Sequence, residues 1–439
     1  MLHLGKTIMR KDCFMKNYCC SFLFFIVFWT FPLTYHAEDT LQSRIDKAPE
    51  HGVVKLPSGV YNETIVLSKP VTLEGVGQVT IRSCSKKPVI TIQGQQVTLR
   101  HVNVEQCSNG KDTEAIYVTG KHHRLENVHI RTKQFGIKLD QTSNTVIEGV
   151  SVKGEQKGNG IDLWESDWNI IHDVRMDQVR DGIYMENSHS NQITQNDIRH
   201  SRYGIHIMFS DHITVKNNVL RDNITGAMVM GTKGTKIEEN ELIFNNRNIN
   251  AQGLLLYDAS ETEAARNKIS YNRVGVYAES AENNRILANE IRGNFIGIQF
   301  KNANANTVSD NAFIGNVIEA QAIKSSENAI AHNYWDASLK LDTTGSGMSA
   351  IPYRADPFFL RLTNDVPEYQ LFFQAPGMIV LQKLLKSPDN EVMTDEAPLM
   401  KAATYDGQMH ASSKMLLGAV SVSMLAGSIS LFMIGRKRR

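Results

Sequence analysis

The chain has 439 residues, 41% of them hydrophobic, and 47 basic against 46 acidic side chains leave a net charge of +1. So even a balance gives no global attraction for nucleic acid, and any charged partner must be met locally. The length allows several ordinary domains or one long repeat array.

Lys6, Arg10, Lys11 and Lys16 precede the apolar run Phe22–Leu33, which is followed by Thr34-Tyr35-His36-Ala37. That order predicts a secretory signal over residues 1–37 with a cut after Ala37; an uncleaved N-terminal anchor is the other reading. Removal of the signal takes Cys13, Cys19 and Cys20 with it and leaves Cys84 and Cys107 in an oxidising compartment.

From residue 38 to about 345 the chain reads as short strands. Val53-Val54-Lys55-Leu56, Val71-Thr72-Leu73, Val79-Thr80-Ile81, Ile90-Thr91-Ile92 and Val97-Thr98-Leu99 come first. Aligning Ile81 with Val104 puts Cys84 opposite Cys107, an offset of 23 residues. Neighbouring strands lie about 4.8 Å apart, which suits a disulfide; the alternative is two free thiols in a ladder.

A phrase then recurs: a small residue, an aliphatic, any residue, an aliphatic. It runs through Gly136-Ile137-Lys138-Leu139, Gly160-Ile161-Asp162-Leu163, Gly182-Ile183-Tyr184-Met185 and Gly204-Ile205-His206-Ile207. It continues with Gly226-Ala227-Met228-Val229, Gly253-Leu254-Leu255-Leu256, Gly275-Val276-Tyr277-Ala278 and Gly297-Ile298-Gln299-Phe300. The glycine steps are 24, 22, 22, 22, 27, 22 and 22. Between copies stands an Asn-x-aliphatic phrase, as in Asn191-Gln192-Ile193 with Asn196-Asp197-Ile198. Period-two strands of three to five residues, punctuated by Gly and Asn and without helices between them, exclude βαβ units. Wound into a coil, each strand pairs in parallel with its equivalent one turn on. The predicted fold is an all-β, right-handed parallel β-helix of about 22 residues per coil, with stacked asparagines at its bends.

Strand alternation sends the third and fifth positions of each phrase outward. On two consecutive coils these are His206 with Met208 and Met228 with Met230. Imidazole with thioethers is a soft donor set suited to Cu(I), and these four residues are the candidate metal site. Tyr184, Glu186, Leu255 and Tyr257 would neighbour it, with His189 and His212 just past the strands. The competing reading is an apolar docking patch, since methionine adapts well to partner surfaces. Asp162, Trp164, Glu165 and Asp167 form an acidic-aromatic group. Asp162, Glu186 and Asp181, with Arg180 and Lys138 nearby, are the candidates for a carbohydrate-active site; no dense carboxylate row stands out, and a solvated polar face is the competing reading. His122-His123 reads as an exposed pair in a turn.

The repeat ends near His332-Asn333-Tyr334-Trp335-Asp336, whose aromatics would cap the coil. A C-terminal extension and linker over 346–413 follows, with a short amphipathic helix near Met378–Lys386. Met415–Gly435 is uncharged and Arg436-Lys437-Arg438-Arg439 follow. This predicts a transmembrane anchor over 414–435 and a basic cytoplasmic tail over 436–439, with the β-helix outside the cytoplasm.

Asn333-Tyr334-Trp335-Asp336, Leu341-Asp342, Gly345-Ser346-Gly347 and Ile351-Pro352-Tyr353-Arg354-Ala355-Asp356-Pro357-Phe358 resemble the NosD family. So do Ala375-Pro376-Gly377 and Asp395-Glu396-Ala397-Pro398-Leu399-Met400. The likeness covers roughly residues 38–400. It implies a non-enzymatic, exported accessory protein that works with the ATPase and permease of an ABC transporter. Such a protein delivers copper to a client cuproprotein such as nitrous oxide reductase. Family members are usually soluble in the periplasm, so the C-terminal span sets this chain apart.

Overall fold

The computed structural model describes residues 40–355 and 392–402, with a few positions between 362 and 384. The predicted signal, the anchor, the basic tail and most of the linker and its short helix lie outside the described residues. Among the described residues, no helix is long and apolar enough to cross a membrane.

The described chain is a right-handed parallel β-helix of about 13 turns. Each full coil contributes one strand to a 12-stranded sheet and two to a continuous 24-stranded sheet. Pairing is parallel and in step from coil to coil: Ile183, Ile205, Ala227, Leu254 and Val276 stack in one line. These inward aliphatics are almost wholly buried and form one continuous core. The glycine that opens each phrase answers to a close approach. A Cβ on Gly226 would lie 2.5 Å from the carbonyl oxygen of Gly253 on the next coil. The 27-residue coil carries its extra residues as an exposed loop at 246–250.

Corners are sharp, and many non-glycine residues there hold positive φ, among them Phe209 (49°), Asn217 (56°), Phe244 (58°) and Tyr271 (58°). Such residues carry a steric penalty, which stacking offsets. At one corner Asn196, Asn218, Asn240, Asn267, Asn289, Asn311 and Asn333 form an unbroken ladder. Each side chain accepts from the backbone N–H and the amide N–H of the rung before; Asn240 also donates to the Val215 carbonyl at 3.0 Å. Every buried donor at the bend is thereby met.

His123 corrects the expectation of an exposed histidine pair. Its side chain is buried, its Nδ1 accepts from the Val97 N–H at 3.2 Å, and its Nε2 lies 3.0 Å from the Thr119 carbonyl. It serves a bend as the asparagines do later, and burial pushes its imidazole below the ordinary value. Cys84 and Cys107 are joined by a disulfide between adjacent coils, with Cα atoms 4.5 Å apart.

Both coil ends are covered. The short helix Leu41–Lys47, which strand periodicity did not anticipate, buries Leu41 and Ile45 over the first coil. At the far end Phe313, Trp335 and Tyr353 stack at 4.1 and 4.0 Å between ring centroids. Asp395 ends the asparagine ladder: its Oδ2 accepts from the Asn333 backbone at 2.9 Å and the Trp335 indole at 2.9 Å. Glu319 occupies the glycine position of the last coil, where no further coil crowds it. Its Oε1 accepts from the Ala337 N–H at 3.0 Å, while its Oε2 is buried without a partner among the described residues. Burial pushes this carboxyl up to about 7, helped by Asp336 and opposed by the Ala337 hydrogen bond and Lys340.

Two outcomes are expected. Asn267→Ala strands buried donors of the preceding rung and should lower unfolding free energy by roughly 2–3 kcal/mol, read as a lower urea midpoint. Glu319 binds its proton more tightly folded than unfolded, so stability is full below its ordinary value of 4.5 and falls as pH rises through about 7. The difference should reach about 3 kcal/mol. Thermal melts at acid and alkaline pH should show this loss in the native chain and not in Glu319→Gln.

Candidate functional site

The outer face of the 12-stranded sheet carries the candidate residues. Register pairing places His206 between Tyr184 and Met228, and Met208 between Glu186 and Met230. The four expected ligands therefore form one rectangle on two adjacent strands, with sides of about 4.8 Å across the strands and 6.5–7 Å along them. Met208, Met228 and Met230 are half-buried.

His206 differs from expectation. It lies on the outer side of the sheet yet is only 6% exposed, because aromatic rings close over it. Tyr203 packs at 4.6 Å and Tyr184 edge-on at 5.1 Å between centroids. Its Nδ1 lies 3.2 Å from Oδ2 of Asp181, a fully buried carboxylate. Asp181 also accepts two bonds from the Arg202 guanidinium, at 2.8 and 2.6 Å. Burial alone would raise the Asp181 carboxyl; the bonds from His206 and Arg202 outweigh it and hold the group below its ordinary value.

In a neutral ring a carboxylate at Nδ1 fixes the tautomer, because Nδ1 carries the proton it shares. Nε2 is then left with its lone pair, and it is buried with no hydrogen-bond partner among the described residues. A carboxylate behind one ring nitrogen and an open lone pair on the other is how metal-bound histidines are oriented. The Tyr184 hydroxyl sits against the Glu186 carboxylate and 3.5 Å from Sδ of Met208. Among the described residues no trio of His, Cys, Asp or Glu is arranged to hold a metal ion. A metal here therefore depends on the thioethers. His189 and His212 are not brought in: the first accepts from the Asp211 N–H at 3.0 Å, and the ring of the second lies over Gly234.

Sequence reasoning missed Arg202 and Tyr203 and left Asp181 apart from His206. Strict alternation counted back from Ile183 turns Asp181 inward. Asp181 nevertheless bonds with the exposed Arg202 and with His206. The remaining acidic and basic candidates gather upstream, where Lys138, Asp162, Trp164 and Arg180 line a groove that ends at His206 and Met208.

Residues 144–351 match the family described as "Periplasmic copper-binding protein (NosD)". Over this stretch the chain is similar to the NosD family. No curated protein matches the chain. Among solved structures, the periplasmic alginate epimerase AlgG is similar at 14% identity and a TM-score of 0.49, over 66% of this chain and 82% of that one. The Dettilon tailspike protein gp208 is similar at 14% identity and a TM-score of 0.45, over 69% of this chain and 66% of that one. The Azotobacter vinelandii mannuronan C-5 epimerase AlgE6 A-module is similar at 14% identity and a TM-score of 0.42, over 68% of this chain and 94% of that one.

Asp181→Asn should weaken the Arg202 bond pair and the hold on His206, destabilising the chain by about 2 kcal/mol at pH 7, because the exposed Arg202 can turn to water. The folded carboxyl is held low, so its stabilisation is present above the ordinary value of 3.8 and is lost as pH falls through the folded one. In parallel melts, the gap between native chain and variant should close in acid.

Proposed function

We propose that this chain, like the NosD family it resembles, is a non-enzymatic accessory protein that holds Cu(I) in transit at the outer face of a membrane. Cu(I) is its cargo, and Nε2 of His206 with the thioethers of Met208, Met228 and Met230 would hold it. The observation that carries this reading is the state of His206: one ring nitrogen committed to Asp181, the other buried and unpartnered beside soft sulfur donors. Neutral thioethers bind Cu(I) in preference to hard cations, and half-buried sulfurs keep the ion within reach of a recipient.

The family description supports copper as the cargo and an exported location. The resemblance further suggests an ABC transporter ATPase and permease as partners and an extracytoplasmic cuproenzyme, such as nitrous oxide reductase, as client. Single-pass anchoring through residues 414–435 would keep the β-helix beside that transporter. The apolar-patch reading is compatible, because a transfer site must be covered by its recipient.

Competition titration with a colorimetric Cu(I) chelator tests the site. The native chain should take one Cu(I), and His206→Ala with Met228→Ala should abolish this. Asp181→Asn should weaken binding by about 10–100-fold, as loss of an outer partner does. Unchanged affinity in the double variant would sink the proposed site.

A further inference from the structure

The groove upstream of the thioethers encloses about 420 Å³, within the roughly 300–1,000 Å³ range of small-ligand sites. Its floor is a line of register partners on successive coils: Lys138, Asp162, Tyr184 and His206. Trp164 stands at its side, 37% exposed, on an outward position whose neighbours in register are Asp140 and Glu186. An indole there adds nothing to the core. Its ring lies under the Lys138 ammonium, 5.9 Å from the centroid, and 6.0 Å from the Tyr184 ring.

Polar groups converge beside that ring. Asp162 is 4% exposed, and its Oδ1 accepts from Asn159 Nδ2 at 3.1 Å. Arg180 donates through Nε to Asn159 Oδ1 at 3.0 Å. Burial raises the carboxyls of both Asp162 and Glu114, which share the groove. Such side chains can exchange hydrogen bonds with hydroxyl groups as donor or acceptor. The strands of the floor are already paired on both sides, so no free edge exists there for an extended peptide to join. A flat aromatic face beside dense donors and acceptors suits a pyranose, which offers C–H groups on one face and hydroxyls around its rim.

We propose that this groove binds a short oligosaccharide, with one pyranose ring stacked on Trp164. The assignment goes beyond the copper reading and does not rest on it, although His206 borders both sites. The test uses the full chain in detergent, titrated with an acidic hexuronate tetrasaccharide, with cellotetraose and with an acidic peptide, and followed by calorimetry. At least one saccharide should bind, and Trp164→Ala should weaken it by about tenfold. Trp164→Phe should retain most of the affinity, and Trp168→Ala, whose indole is outside the groove, all of it. Preference for the hexuronate, abolished by Lys138→Ala with Arg180→Ala, would place the sugar carboxylate at those cations. Cu(I) uptake should persist in Trp164→Ala, which separates failure of this proposal from failure of the copper site. Binding of neither saccharide, saccharide affinity unchanged in a folded Trp164→Ala variant, or binding of the peptide alone would overturn it.

Discussion

The structure depends on coils stacking in register. A parallel coil satisfies its backbone only through the turns above and below, so each bend must present its polar groups at the same height every time. The asparagine ladders meet that demand. Asn196 to Asn333 pass hydrogen bonds from rung to rung, and Asp395 supplies the last acceptor where no coil follows. Short strands that would be marginal alone become one cooperative array.

The same register builds the outer face. Because equivalent positions superpose, residues 22 apart in the chain become side-by-side neighbours, and three methionines and a histidine meet without any loop to position them. What refines this set is a departure from the repeat. Asp181 is fully buried at the glycine corner, while its partner Arg202 reaches it from a side chain that stays 45% exposed. The buried carboxylate is tolerable because Arg202 and His206 meet both of its oxygens. The result is an imidazole packed against Tyr184 and Tyr203, with Nδ1 on Asp181 and Nε2 buried without a hydrogen-bond partner among the described residues.

Polar character changes along this face. Upstream of His206 lie carboxyls, cations and an exposed indole; downstream come Met228, Leu255 and Tyr257. A sheet that is uniform in backbone thus carries two chemically distinct tracts meeting at one histidine. Glu319 shows how far the end of the array departs from its middle. A carboxyl fits there only because the glycine rule lapses with the final coil, and burial then holds on to its proton.

Period-two alternation and the recurring 22-residue step were enough to determine the winding, the inward aliphatic lines and the pairing of His206 with Met228, because these follow from local strand geometry repeated at constant length. The approach of Cys84 to Cys107 follows from the same step. Tertiary structure alone decided the rest. The helix Leu41–Lys47 answers to an exposed coil end, not to the repeat. His123 is buried because a bend needed an acceptor. Asp181 reaches His206 through a contact between side chains on adjacent coils, and no count of alternating residues contains it.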